Sequence, residues 1–207
     1  MQAAEFDALL RVEQEHWFYR GKRALTLHWI ERLSPRRELR TIVDIGAGTG
    51  ALVRELHAAF GGTRVRGIEH AEVARELARA QLGVPLEDGS VLALPVQTSE
   101  SDITIALDVL EHVTPDTVAF GELVRITRPG GLILINVPAF MALWSSWDVA
   151  LGHHRRYTRK SFLALLRQHE ADVEIISLKY INELLFLPIW LYRVIARVLR
   201  LRSRAED

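Results

Sequence analysis

At 207 residues the chain can bury one sizeable core but is short for two large domains. Its 26 basic residues cancel its 26 acidic ones, which excludes a strong electrostatic footprint for nucleic acid, and 49% hydrophobic residues mark a packed globular protein. With no cysteine there is no disulfide framework, thiolate nucleophile or cysteine-based zinc site, and the acidic opening residues lack the apolar run of a signal peptide. The expectation is a cytoplasmic protein of one main domain.

Taken in chain order, the spacing predicts helices over Glu5–Val12 and Phe18–Leu33, then a break at "SPRREL". A strand is expected at Thr41–Ile45, a helix at Ala51–Phe60, a second strand in "TRVRGIE" and a helix over Ala71–Gln81. "VPLE" reads as a short third strand, "SDITIALD" as a fourth, Pro115–Thr127 as a helix and "GLILINVP" as a fifth strand. "ADVEIISLKY" alternates as a sixth strand should. Strands without polar alternation, separated by helices, imply a mostly parallel sheet covered on both faces. The fold class is therefore α/β: a Rossmann-like, doubly wound α/β/α sandwich.

In such sheets ligands bind at the carboxyl ends of the strands. The stretch "TIVDIGAGTGALVREL" puts Gly46, Gly48 and Gly50 there, where they admit a ligand to the backbone ahead of a helix N-terminus. "GAGTGA" satisfies both G-x-G-x-x-A, a loose dinucleotide fingerprint, and G-x-G-x-G. The acids decide between them. Asp44 is two residues before Gly46, where a pyrophosphate would be repelled and a cation attracted. Glu69 ends the second strand, suited to a ribose diol, and Asp88 follows the third. No Arg or Lys flanks the loop to neutralise phosphates, so the ligand reads as a nucleoside carrying a positive charge.

"VDIGAGTG" resembles the first motif of class I S-adenosylmethionine-dependent methyltransferases, and "GIEH", "EDGS", "DITIALDVLEHV" and "RPGGLILINVP" are similar to the later motifs in order and spacing. The likeness covers about Thr41 to Pro138. "HWFYRGKR" and "LGHHRRYTRKSF" resemble a bacterial subgroup (methyltransferase type 11/12-like) often grouped with lipid or glycan biosynthesis. The resemblance implies S-adenosylmethionine as donor and S-adenosylhomocysteine as product. Asp44 and the backbone of Gly46, Ala47, Gly48 and Gly50 would hold the methionine moiety, and Glu69 the ribose hydroxyls. His70 would lie beside the adenine, and Asp88 would face its amino group with Gly89 and Ser90 lending backbone. Leu107 and Asp108 would border the sulfonium.

Methyl transfer from a sulfonium is an in-line displacement, so alignment and exclusion of water carry most of the chemistry. "EHWFYRGKR" suits a lid, with Trp17, Tyr19 and Arg20 toward the substrate. Where the acceptor needs a general base, His112, His153, His154 and Tyr157 are the candidates. Arg155 and Arg156 could clamp a carboxylate or phosphate, or lie exposed in a loop whose Thr158 caps the next helix. Adjacent histidines share no helical face, so the i, i+4 metal pair is missing and no metal is expected.

Three segments follow: a helical lid over 1–40, the cofactor-binding domain over 41–180 and an amphipathic helix over 181–207. In the last, Arg193, Arg197, Arg200 and Arg204 recur on one helical face. The apolar run Leu184–Tyr192 is far shorter than the ~20 residues of a spanning helix. This helix could dock on the domain or on a second subunit, or lie on the inner face of a membrane. The family's final antiparallel strand has no counterpart, as if the chain stopped early. The expectation is an enzyme, monomer or homodimer, that methylates an O or N atom of a small or lipid-linked molecule. The alternatives are a dinucleotide-dependent oxidoreductase, a non-catalytic cofactor-binding scaffold and a membrane-surface interaction protein.

Overall fold

Four apolar segments pair side by side in the computed structural model, which describes residues 12–34, 38–169 and 171–198. The helix expected over Glu5–Val12, all but its last residue, lies outside them, as do Arg200 and Arg204. The strands are β1 (Thr41–Ile45), β2 (Arg64–Ile68), β3 (Ser101–Leu107) and β4 (Thr127–Asn136). All pairings are parallel, in the order β2-β1-β3-β4. Helices α1 (Trp17–Leu33), α2 (Ala51–Ala59), α3 (Glu72–Leu77) and α4 (Asp116–Ile126) precede or connect them.

The chain divides into two compact units, the first holding the described residues through Val109 with Gly121–Asn136, the second Leu110–Phe120 with those from Val137 onward. In the first unit every residue of β1 is buried, as its unbroken apolar run requires. Ile42 and Ile103 of the sheet pack with Ile30 of α1 and Leu52, Val53 and Leu56 of α2 in one cluster. At the amino end of β3, buried Asp102 accepts from the Arg40 and Thr41 amides, each at 2.7 Å, and pairs with Arg128 at 2.6 Å. β1 is flanked by β2 on one side and β3 on the other, so the winding direction reverses between them. The switch point of a doubly wound sheet is therefore the carboxyl end of β1 and β3.

The segment expected as a third strand, "VPLE", makes a single bridge, Ile68 to Glu87. Pro85 has no amide to donate, and side chains hold the loop instead. Arg66, 7% exposed, forks onto Glu87 at 2.7 and 2.6 Å and reaches Glu100 at 2.8 Å and the Pro95 carbonyl at 2.9 Å. Burial works against the Glu100 charge, yet the Gln97 amide and Arg66 hold its carboxyl below the usual range. The helix expected over Ala71–Gln81 is regular only to Leu77 and then widens into a π turn over Ala78–Leu82.

The second unit contains α5 (Ser146–Ala150), α6 (Arg159–Leu166) and α7 (Phe186–Val198). Thr158 caps α6 as expected, its hydroxyl accepting from the Ser161 amide at 3.1 Å. Phe140, at φ 61°, stacks on Tyr180 at 4.7 Å and meets Phe186 at 4.9 Å between ring centroids. The sixth strand expected in "ADVEIISLKY" is not formed. The segment starts in a turn, with the Asp172 and Val173 amides donating to the His169 carbonyl, and Ile175 and Ile176 stay exposed. Alternation prepares a strand, but a strand exists only as a pairing, and these residues make none.

Candidate functional site

At the switch point the chain leaves β1 through three glycines, all with positive φ: 66° at Gly46, 53° at Gly48 and 79° at Gly50. The turn is pinned by the Gly46 and Ala47 amides, which donate to the Ile68 carbonyl at 2.8 and 3.1 Å. A Cβ at Gly46 would lie 2.6 Å from Val109 Cγ2, whereas one at Gly48 would meet nothing within 4 Å. Gly46 is thus demanded by packing, and Gly48 leaves open space over the loop. α2 starts at Ala51, directing free amide groups toward that space.

Glu69, just past β2, accepts from the Gly48 amide at 2.9 Å and from the Ala71 amide at 2.8 Å. A carboxylate has about four acceptor positions, so two remain for a diol. Asp44 is 3% exposed. Burial, and then the nearby charges of Glu13 and Glu69, push its carboxyl well above the usual range. Glu13 also accepts from the Thr49 hydroxyl and pairs with Arg23 at 3.7 Å. Three carboxyl groups, of Asp44, Glu69 and Glu13, thus lie about the glycine turn.

His70 and Asp88 are exposed, 3.9 Å apart, and Arg75 ties them together by donating to Asp88 at 2.8 Å and to the Glu69 and His70 carbonyls. Gly89 is packed so closely that a Cβ would lie 2.5 Å from Pro95, and the Ser90 hydroxyl accepts from the Leu92 amide at 3.2 Å. Leu107 packs against the core at the end of β3. Asp108 follows at φ 54°, its amide held by the Asn136 carbonyl at 2.9 Å and its carboxylate by Lys22 of α1. Lys22 also lies over the Phe18 and Tyr19 rings, 4.7 and 5.1 Å from their centroids. Trp17 and Arg20 are exposed; Tyr19 is partly buried, and desolvation raises its hydroxyl.

The sequence reading passed over Lys22, Glu13, Thr49 and Arg75. All four find partners at least 13 residues away, which no local pattern marks.

The remaining candidates belong to the second unit. Tyr157 is buried, its hydroxyl donating to Asp116 at 2.8 Å and to the Leu110 carbonyl at 3.2 Å. Burial and then that bond to Asp116 raise its hydroxyl far above an ordinary phenol. Arg155 pairs with Asp116 at 2.7 Å, and Arg156 with Asp148 at 2.6 Å. The expected anion clamp is thus made of guanidiniums that acids of the chain already engage. Burial opposes the Asp148 charge, but Arg156, the Ser145 amide and His153 together hold its carboxyl below the usual range. His112 and His153 meet edge to face at 4.7 Å, while His154 is exposed.

A parallel sheet with a glycine turn and acids at its switch point defines a Rossmann-like fold, whose ligands bind at the carboxyl ends of the strands. More narrowly, residues 43–135 match the family described as methyltransferase domain. An uncharacterized methyltransferase of Mycobacterium sp. (strain KMS) is 34% identical over 135 residues, 58% of this chain and 50% of that protein. The chain therefore spans about half the length of the curated relatives it matches.

Among solved structures, Haemonchus contortus phosphoethanolamine N-methyltransferase 2, in complex with S-adenosyl-L-methionine, is similar with a TM-score of 0.65. Identity is 16%, over 89% of this chain and 46% of that one. The [4+2]-cyclase SpnF aligns with a TM-score of 0.63 at 19% identity, over 87% and 68% of the two chains. These likenesses place the fold.

If Glu69 accepts ribose hydroxyls, Glu69→Ala is expected to weaken S-adenosylhomocysteine binding by about 1–3 kcal/mol, as when a charged hydrogen-bond acceptor is removed. Glu69→Gln, which keeps one acceptor for the loop amides, should lose less. Equal affinities by calorimetry in all three proteins would make Glu69 only a brace for the loop.

Proposed function

We propose that the protein transfers a methyl group from S-adenosylmethionine to an O or N atom of a small or lipid-linked molecule. The carrying observation is the turn at Gly48, where the backbone leaves open space beside Asp44, Glu13 and Glu69. A dinucleotide would bring two phosphates into that field; a sulfonium with an amino-acid ammonium brings positive charge. The residues present fit this cofactor. Asp44 and the Gly46–Gly50 backbone would take its methionine part, Glu69 its ribose, and His70, Asp88, Gly89 and Ser90 its adenine, with Leu107 and Asp108 bordering the sulfonium. The bound cofactor supplies an electrophilic methyl group. The chain orients it, excludes water and holds the acceptor in line, an alignment worth on the order of 7–11 kcal/mol in favourable cases.

Residues 1–40 act in this reading as a lid over the domain of residues 41–180. What supports it is that α1 is tied to the carboxyl end of β3 by Lys22 on Asp108, and to α2 by Arg23 on Glu55 at 2.7 Å. The lipid-linked class of acceptor draws on α7 and the turn before it, where Leu184 is 93% and Leu187 64% exposed. No helix among the described residues is long and apolar enough to cross a membrane.

Calorimetric titration tests the reading, with S-adenosylhomocysteine as ligand and NAD as control. Saturable binding of the first alone is expected. Binding of NAD alone, or of neither, overturns the cofactor assignment. Because one protein of this fold is a cyclase, transfer of label from a methyl-labelled donor to extracted small molecules or lipids then separates methylation from binding alone.

A further inference from the structure

The fold of the second unit brings His153 to two potential ligands, Glu111 and His112, that lie far from it in the sequence. Glu111 and His112 end a short turn over Leu110–His112, and His153 comes from the loop after α5. Each offers one ligand atom, and these atoms all lie within 4.8 Å of one another. Glu111 is completely buried, and the His153 side chain is 9% exposed with its Nε2 4.0 Å from Glu111 Oε1. The other nitrogen of His153, Nδ1, is 3.0 Å from Asp148 Oδ1. Asp148 is itself fixed by Arg156, at 2.6 and 3.1 Å, and by the Ser145 amide at 2.8 Å. An Nδ1–H donated to Asp148 leaves the Nε2 lone pair facing Glu111 and His112, the outer-shell arrangement that orients a metal-binding imidazole.

We propose that Glu111, His112 and His153 bind one divalent transition-metal ion of the zinc class, with Asp148 as the residue that positions His153. Two imidazoles and a carboxylate suit a borderline cation; calcium and magnesium prefer oxygen donors throughout. Bonds of about 2.0–2.1 Å in tetrahedral array set donor atoms about 3.3 Å apart, so the cluster must contract by roughly 1.5 Å, within the reach of side-chain rotation. Three protein ligands leave a fourth position for water. Only folding makes this cluster, since it contains no i, i+4 histidine pair. The proposal stands independently of the cofactor assignment.

The test uses the full chain, stripped with a chelator, dialysed and titrated with Co2+ alone. One ion per chain is expected, with the visible absorption of four- or five-coordinate cobalt, bleached when Zn2+ replaces it. His112→Ala and His153→Ala should each weaken binding by at least ~100-fold, and Asp148→Asn by about 10–100-fold, as loss of an outer-shell partner does. His154→Ala should change neither stoichiometry nor affinity, because His154 lies exposed outside the cluster. No absorption band in the unmutated chain overturns the proposal whatever the variants do. So does binding that survives both His112→Ala and His153→Ala in folded protein, or that disappears in His154→Ala.

Discussion

Gly48→Val is expected to weaken S-adenosylhomocysteine binding by at least about 100-fold, or ~2.7 kcal/mol, in a chain that still folds. Two observations separate the effects. The backbone at Gly48 has φ 53°, where a β-branched residue is strained by about 1–3 kcal/mol. Yet an added Cβ meets no protein atom within 4 Å, so the new side chain projects into the space assigned to the ligand. A modest fall in melting temperature with complete loss of binding is the predicted signature. At Gly46 the order reverses, because a Cβ there runs into Val109 at 2.6 Å and the fold itself suffers. Unchanged affinity in folded Gly48→Val protein would remove the glycine turn from the site.

The second large effect concerns charge. Asp44→Asn should weaken the cofactor by about 1.5–3 kcal/mol, the worth of a hydrogen bond to a charged group. It should also abolish a pH dependence that the unmutated protein shows. Burial, Glu13 and Glu69 raise the Asp44 carboxyl when the site is empty, and a cationic ligand lowers it again. Binding therefore releases a proton, and affinity rises with pH from the ordinary carboxylate range toward neutrality. The effect on stability has the opposite sign. The empty folded state holds this proton more tightly than the unfolded chain does, so its stability falls as pH rises above about 4 until the raised value is passed. Asp44→Asn should flatten that slope and stabilise the empty protein at neutral pH. Calorimetry in two buffers of different ionisation enthalpy measures the released proton; none released by the unmutated protein would contradict the mechanism.

Much of the fold could be read from the sequence where the signal is local. The apolar run of β1, the three glycines after it and the Thr158 cap depend on neighbours a few residues away, and each is found where expected. The strands after β2 and α6 fail because a strand is a pairing: "VPLE" makes one bridge, and residues 171–180 have no ladder. Side-chain chemistry shows the same division. That Arg155 and Arg156 are engaged depends on Asp116 and Asp148, and the grip of Lys22 on Asp108 spans most of the first unit's sequence. Glu111 was visible in "DVLEHV", but its complete burial beside two imidazoles belongs to three dimensions.

The loop that carries Asp88 and Ser90 borrows its order from the Arg66 fork, with little backbone laddering of its own. The adenine end of the proposed cofactor site is therefore fastened electrostatically, while the methionine end rests on a buried strand. Ionic strength acts on the first fastening, where Glu87 is part-exposed, more than on the second. Added salt should therefore alter selectivity among nucleobases more than it alters the grip on the amino-acid half of the cofactor, whose pH dependence belongs to Asp44.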